Sequence, residues 1–165
     1  MEKTAVYPGT FDPITNGHLD IIKRGLRIFD RIIILVGLNP GKSLLLTVEE
    51  RMSLISQVIV NEKRLSVDSY SGLIVDYMRS HDVCCVLRGL RAVSDFEYEF
   101  QLALMNRRLD RNVETVFLMT GSRWFYCNSR IIKEAASFGG SVRGMVPEVV
   151  LEKLMEKYPI LKEAN

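Results

Sequence analysis

The sequence predicts an α/β fold, a single doubly wound domain with a parallel five-stranded sheet, Rossmann-like in outline, and two observations carry this. Apolar runs short enough for buried strands recur along the chain, separated by longer segments of helical period with no Ser/Gly-rich linker or long charge block. The runs are nearly continuously apolar rather than alternating, as expected of parallel strands covered by helices on both faces.

In order, the strand candidates are Thr4–Tyr7, Arg31–Gly37, Leu65–Asp68, Val83–Leu87 and Val113–Met119. Between them lie amphipathic stretches at about Gly17–Phe29, Val48–Val60, Leu73–Ser80 and Ser94–Leu109, with further helices near Ser129–Ser137 and Pro147–Tyr158. Two starts carry a capping box, in which a hydroxyl and a Glu three residues on satisfy free backbone donors: Thr47 with Glu50, and Ser94 with Glu97. In such sheets ligands bind beyond the carboxyl ends of the strands. The segments expected there are Pro8–His18, Leu38–Leu46, Ser69–Gly72, Arg88–Val93 and Thr120–Arg130.

With 165 residues and 47% hydrophobic content, the chain fits one compact domain over 1–165, closed by a helix from about 147. A net charge of +2 is too small to mark a nucleic-acid partner, so any anion site must come from local clustering. The cysteines Cys84, Cys85 and Cys127 form neither a disulfide framework nor a zinc spacing and read as reduced thiols. The first residues hold no signal-peptide core and no run approaches the ~20 apolar residues of a membrane span, so a cytoplasmic protein without a membrane partner is expected.

The first strand runs into Tyr7-Pro8-Gly9-Thr10-Phe11-Asp12-Pro13-Ile14-Thr15-Asn16-Gly17-His18. A glycine there permits close approach of backbone to phosphate, and a helix start offers free N–H groups and a favourable dipole. The plain alternative is a Pro/Gly turn closed by a helix cap. His18 favours function, because a charged imidazole opposes the dipole and a cap would more naturally be Ser, Asp or Asn. The fourth strand ends in Arg88-Gly89-Leu90-Arg91, two guanidinium forks around what reads as a flexible turn, suited to phosphate oxygens or else to solvent. Lys42 sits in Pro-Gly-Lys-Ser, but Val36 stands where a Walker A motif needs its first glycine. Asp95 and Glu99 share a helix face as a carboxylate pair or as solvated surface. His81 reads as a surface or C-cap residue, Cys127 as packing, and the methionines as core filler.

Thr-Asn-Gly-His after Gly-Thr-Phe-Asp-Pro resembles the T/H-x-G-H signature of the nucleotidylyltransferase superfamily. From the first strand through Pro147 the chain resembles the phosphopantetheine adenylyltransferase family, notably at Tyr7–His18, Thr47–Arg51, Leu87–Ala92, Asp95–Glu99 and Lys133–Glu134. The resemblance implies transfer of the adenylyl group of ATP to 4'-phosphopantetheine, giving dephospho-coenzyme A and pyrophosphate. It implies catalytic roles for His18, Thr10, Lys42 and Arg91, and acceptor contacts from Thr10, Lys42, Ile74 and Arg88. It places Thr10, Phe11, His18, Gly89, Leu90, Arg91, Glu99, Trp124, Phe125, Tyr126, Cys127, Asn128, Ser129 and Arg130 around ATP, Glu99 acting through the ribose or through an oriented arginine. It also implies a homohexamer and coenzyme A as a feedback ligand. The chain departs from the family at Cys127-Asn128-Ser129-Arg130, where the usual motif is Ile-Ser-Ser-Ser. Arg130 either turns outward into solvent or inward to the β- or γ-phosphate; the inward arrangement is favoured because a cation at a helix N-terminus needs an anion to offset the dipole.

Such a reaction is driven by positioning two anions and neutralising charge at phosphorus, with no enzyme nucleophile. Mg²⁺ is expected to arrive with ATP, since no carboxylate cluster stands among the motif loops, although Asp12 could touch the metal through water. Two other acceptors fit the same fold: nicotinamide mononucleotide, or a phosphorylated alcohol with CTP. A rival of another class is an RNA-binding patch of Arg88, Arg91, Arg107, Arg108 and Arg111. A dehydrogenase is disfavoured by the missing G-x-G-x-x-G turn.

Overall fold

All five apolar runs form strands: β1 (Thr4–Gly9), β2 (Arg31–Gly37), β3 (Leu65–Tyr70), β4 (Cys85–Leu90) and β5 (Glu114–Met119). The computed structural model describes residues 2–38, 41 and 43–162, apart from the side chains of Val93 and Ser94. Among them six α-helices alternate with or follow the strands: α1 (Asn16–Gly25), α2 (Val48–Ile59), α3 (Ile74–Ser80), α4 (Val93–Leu109), α5 (Ser129–Ser137) and α6 (Glu148–Lys157). The strands build one sheet in the order β3-β2-β1-β4-β5, every pairing parallel. This is the α/β architecture that the apolar runs predict.

Alternate residues of the strands enter two cores. On one face Ala5, Ile32, Ile34 and Leu87 pack with Ile21 and Ile22 of α1, Leu54 and Ile55 of α2, Ile132 of α5 and Leu151 of α6. On the other, Val6, Leu35 and Val86 pack with Val75, Tyr77 and Met78 of α3. The described side chains of α4 include no buried one, and Phe96, Phe100, Leu102, Leu104, Met105 and Leu109 are exposed.

The order reverses beside β1, from which the chain winds outward through β2 and β3 before returning to β4 and β5. At that switch point the ladder is incomplete. β1 pairs with β2 along its whole length, from Thr4 to Gly9, and β4 pairs with β5 from Cys85 to Leu90. Between β1 and β4 the pairing stops after Ala5 with Cys85 and Val6 with Val86. Beyond it the carboxyl ends diverge and open a crevice, the place where open α/β sheets bind ligands.

Two local expectations change. Arg88 and Gly89 belong to β4 rather than to a flexible turn, paired with Phe117 and Leu118 of β5. Gly89 is a packing requirement, because a Cβ there would lie 2.9 Å from Cγ1 of Ile21. The helix expected from Ser94 begins at Val93 with Ala92 as its extended N-cap, so Ser94 lies inside the first turn and not at the N-cap position that a box with Glu97 requires. The Thr47 box does form: Glu50 N–H donates to the Thr47 hydroxyl at 3.2 Å, and Thr47 N–H donates to the Glu50 carboxylate at 3.0 Å. His81 is the C-cap residue of α3.

Candidate active site

The crevice between β1 and β4 holds a cavity of about 410 Å³. Its wall comes from Tyr7 to Phe11, from Gly17, His18 and Ile21 of α1, from Arg88, Gly89, Arg91 and Glu99, and from Thr120 and Cys127 to Arg130. The turn after β1, the arginines at the end of β4 and the start of α5 thus meet in one space, although more than a hundred residues of chain separate the first from the last.

His18 occupies an unexpected local role. The N-cap of α1 is Thr15, and His18, at the third helical position, takes the place that Glu or Gln holds in a capping box. Thr15 N–H donates to His18 Nδ1 at 3.0 Å, and His18 N–H donates to the Thr15 hydroxyl at 3.4 Å. A backbone N–H can only donate, so Nδ1 is the acceptor and the ring proton resides on Nε2. Burial, reinforced by the charges of Arg91 and Arg88, lowers His18 from 6.5 to about 4. The imidazole is therefore neutral at pH 7, which removes the conflict with the helix dipole that a charged ring would create. Phe11 packs edge-on to the ring at 5.1 Å between centroids. Gly17 completes the motif by closeness: a Cβ would sit 3.2 Å from the Cys127 carbonyl oxygen.

Two of the cavity arginines, Arg88 and Arg91, already have carboxylate partners. Arg88 grips Glu99 through Nε, at 2.5 Å, and Nη2, while its Nη1 donates to the Pro8 carbonyl at 2.7 Å across the gap between β1 and β4. Burial alone would lower this guanidinium, but the Glu99 carboxylate outweighs it and raises it above its ordinary value. Arg91 Nε meets Asp95 at 3.1 Å. Asp95 and Glu99 are thus partners of two different arginines rather than a carboxylate pair.

Behind the turn, Asp12 is 2% exposed. It accepts from the backbone N–H groups of Leu45 and Leu46, at 3.0 and 2.9 Å, and is paired with Lys133 of α5. Those partners hold the Asp12 carboxylate in place behind the turn. At the start of α5, Asn128 is the N-cap, accepting from Ile131 N–H at 2.8 Å, and the Ser129 hydroxyl donates to the Pro13 carbonyl at 2.7 Å. Arg130 is exposed on the cavity rim. Cys127 lines the cavity while 2% exposed, and burial pushes its thiol up.

Of the residues expected around ATP, Trp124, Phe125, Tyr126 and Leu90 do not line the cavity. Trp124 packs against the core beneath Arg123, Phe125 and Tyr126 are exposed, and Leu90 is buried in β4. Ile74 lines a neighbouring apolar cavity of about 190 Å³ with Val86, Leu102, Ala103 and Asn106, and this cavity shares Pro8, Arg88 and Glu99 with the larger one. Lys42 lies outside the described residues. The patch of five arginines does not form as one surface, since Arg88 and Arg91 face the crevice and Arg107 and Arg108 lie in the last turn of α4. Sequence reasoning missed Tyr7, Thr120 and Ile21 in the wall, and Asp95 and Thr15 as partners of Arg91 and His18.

Comparison with known proteins gives concordant results. The model of the cytidylyltransferase-like family matches residues 6–135. A phosphopantetheine adenylyltransferase of Syntrophus aciditrophicus (strain SB) is 62% identical over 165 residues, covering 100% of both chains. One of Desulfatibacillum aliphaticivorans is 59% identical over 157 residues, 95% of this chain and 90% of the relative. A third, of Desulfosudis oleivorans (strain DSM 6200 / JCM 39069 / Hxd3), is 56% identical over 155 residues, 94% and 92%.

Proposed function

From the membership of this chain in the phosphopantetheine adenylyltransferase family, within the cytidylyltransferase-like group, we infer its reaction and the part each cavity residue takes in it. The chain transfers the adenylyl group of ATP to 4'-phosphopantetheine, releasing pyrophosphate and dephospho-coenzyme A. The observation that carries the assignment of roles is a neutral imidazole, its proton fixed on Nε2, facing the same cavity as two carboxylate-held arginines.

The acceptor phosphate is already an anion and needs no general base. It attacks the α-phosphorus in line while the pyrophosphate oxygen leaves from the opposite side. His18 Nε2–H donates to a non-bridging oxygen as charge builds there, and a neutral donor does so without first attracting a ground-state anion. Thr10 orients the attacking phosphate, Arg91 and Lys42 spread the charge, and the free N–H groups at the start of α5 receive the nucleotide phosphates, with Arg130 reaching them from the rim. Mg²⁺, arriving with ATP, would supply neutralisation of part of the phosphate charge. No group of three or more His, Cys, Asp or Glu residues among those described would hold it independently.

Arg88 stands on the wall shared by the two cavities, which supports placing the acceptor phosphate there and the pantetheine arm along Ile74 and Leu102. Coenzyme A carries the same arm and an adenine nucleotide, so it fits both cavities together as a feedback ligand. The exposed apolar residues of α4 support self-association, since a patch of that kind marks a protein contact, and the homohexamer implied by the family is the form proposed for it. Among the described residues no helix is long and apolar enough to cross a membrane, and the free thiols suit a cytoplasmic location. The test is incubation with ATP, Mg²⁺ and a panel of phosphorylated acceptors: pyrophosphate and dephospho-coenzyme A appear with 4'-phosphopantetheine, and a preference for nicotinamide mononucleotide would overturn the assignment.

A further inference from the structure

Only three polar or charged residues among those described are buried, and all three lie directly behind the turn that follows β1: Asp12, Thr15 and Arg51. Asp12 and Thr15 have local reasons, given above. Arg51, in the first half of α2, does not belong to the cavity wall, yet its side chain is 2% exposed. A buried guanidinium is costly unless its donors are used, and here Nη1 and Nε are used, among the described residues on backbone carbonyls. Nη1 donates to the Thr10 carbonyl at 2.7 Å and to the Gly37 carbonyl at 3.3 Å, and Nε donates to the Thr47 carbonyl at 3.3 Å. Among the described residues no carboxylate lies within ion-pair distance of it, and burial lowers its guanidinium from the ordinary value.

These acceptors are not equivalent. Thr10 is the residue proposed to orient the attacking phosphate, and Gly37 is the last residue of β2, where the chain departs toward Lys42. Asp12 ties Leu45 and Leu46, at the far end of that same segment, back to the turn. Arg51 therefore spans the carboxyl ends of β1 and β2 with a rigid planar fork, at the level where the two strands give up their phosphate-binding segments.

We propose that Arg51 is a positioning residue for the adenylyl transfer: its guanidinium fixes the Thr10 carbonyl against the end of β2 and so sets where the Thr10 side chain meets the acceptor phosphate. This rests on the reaction inferred above. The residue touches no reacting atom, and its effect is on turnover through geometry rather than on the affinity of the cavity for ATP. A displacement of about 1 Å at a reacting group can cost roughly 10²-fold in rate.

The experiment compares the full-length protein with Arg51→Lys, which keeps the charge and loses the fork, and Arg51→Met, which loses both. Thermal unfolding establishes that each variant is folded at the assay temperature; calorimetry gives ATP affinity without acceptor, and pyrophosphate release gives kcat and KM. The expected result for Arg51→Lys is a fall in kcat of about tenfold or more with ATP affinity within about threefold. Because the residue acts through Thr10, the same change made on Thr10→Ala should lower kcat by less than about threefold further, a non-additivity that mere loss of stability does not produce. Full activity in Arg51→Lys would overturn the proposal, since charge alone would then suffice, and so would strict additivity with Thr10→Ala. If neither variant folds, the same readings are taken on Arg51→Gln, and failure of all three to fold makes the residue one of stability alone and rejects the inference. An unmodified protein that binds ATP but adenylylates no 4'-phosphopantetheine would instead reject the inferred reaction, a result distinguishable from all of these.

Discussion

Acid should unfold this protein partly through His18, and the amount follows from the capping box. The folded ring titrates at about 4 and the unfolded one at 6.5, so the unfolded chain binds more protons between those values. The sign is fixed by that order: the stability that depends on a neutral ring is complete above 6.5 and is lost as pH falls toward 4. At about pH 5 the unfolded state is favoured by a factor of roughly 30 through this group, about 2 kcal/mol, against about 0.1 kcal/mol near pH 7.5. Partial exposure of the ring makes that an upper figure. His18→Gln is the proper reference, since Gln at the third helical position still closes the box and does not titrate. Urea unfolding of both proteins at the two pH values, with m-values compared, isolates the difference from the carboxylates that titrate in both. The wild type should lose about 1–2 kcal/mol more than His18→Gln on going to pH 5. Parallel losses would show that Nδ1 does not depend on staying unprotonated, and the assignment of the proton to Nε2 would fall with it.

Three further expectations concern the cavity. His18→Ala should lower kcat by about 10²–10³ while leaving ATP affinity nearly intact, because the donor acts on charge that develops only in the transition state; unchanged turnover in a steady-state assay removes it from the mechanism. Arg88→Ala should chiefly raise KM for 4'-phosphopantetheine, and since it strands the Glu99 carboxylate in a half-buried site, Arg88→Ala with Glu99→Gln should unfold at a higher temperature than Arg88→Ala alone. A rise confined to the KM for ATP would contradict the division of the two cavities. Arg130→Ser should weaken ATP binding and flatten its salt dependence; calorimetry at two ionic strengths giving equal affinities would place the guanidinium in solvent.

The strands were legible because parallel strands covered on both faces read as short apolar runs, and Arg31–Gly37 has the expected bounds. The Thr47 box was legible because its partners are three residues apart. The Ser94 signature has the same spacing yet misplaces the helix start, since β4 runs on to Leu90 and the helix then begins at once from Ala92. What the sequence hid is the polar framework behind the turn. Asp12 meets Leu45, Leu46 and Lys133, and Arg51 meets Thr10 and Gly37, partners brought together only by the parallel crossovers. No periodicity marks such residues, and a Glu-Glu-Arg string at a helix start looks like solvated surface. The sequence argues rightly against His18 as the N-cap, which is Thr15, but hides that a neutral, buried imidazole can close the box from the third helical position.

The unfinished ladder between β1 and β4 carries a lesson for anyone seeking a sturdier version of this protein. Extending the rungs past Val6 and Val86 would add hydrogen bonds and close a weak seam in the sheet, the kind of change that ordinarily raises a melting temperature. Here the same change would zip shut the opening that Arg88 now spans with a single bond to Pro8. Robustness and turnover compete for the same few backbone groups, so stabilising substitutions belong between β2 and β3, where pairing is already continuous from Ile32 to Gly37, and there at the end of the strands away from Lys42.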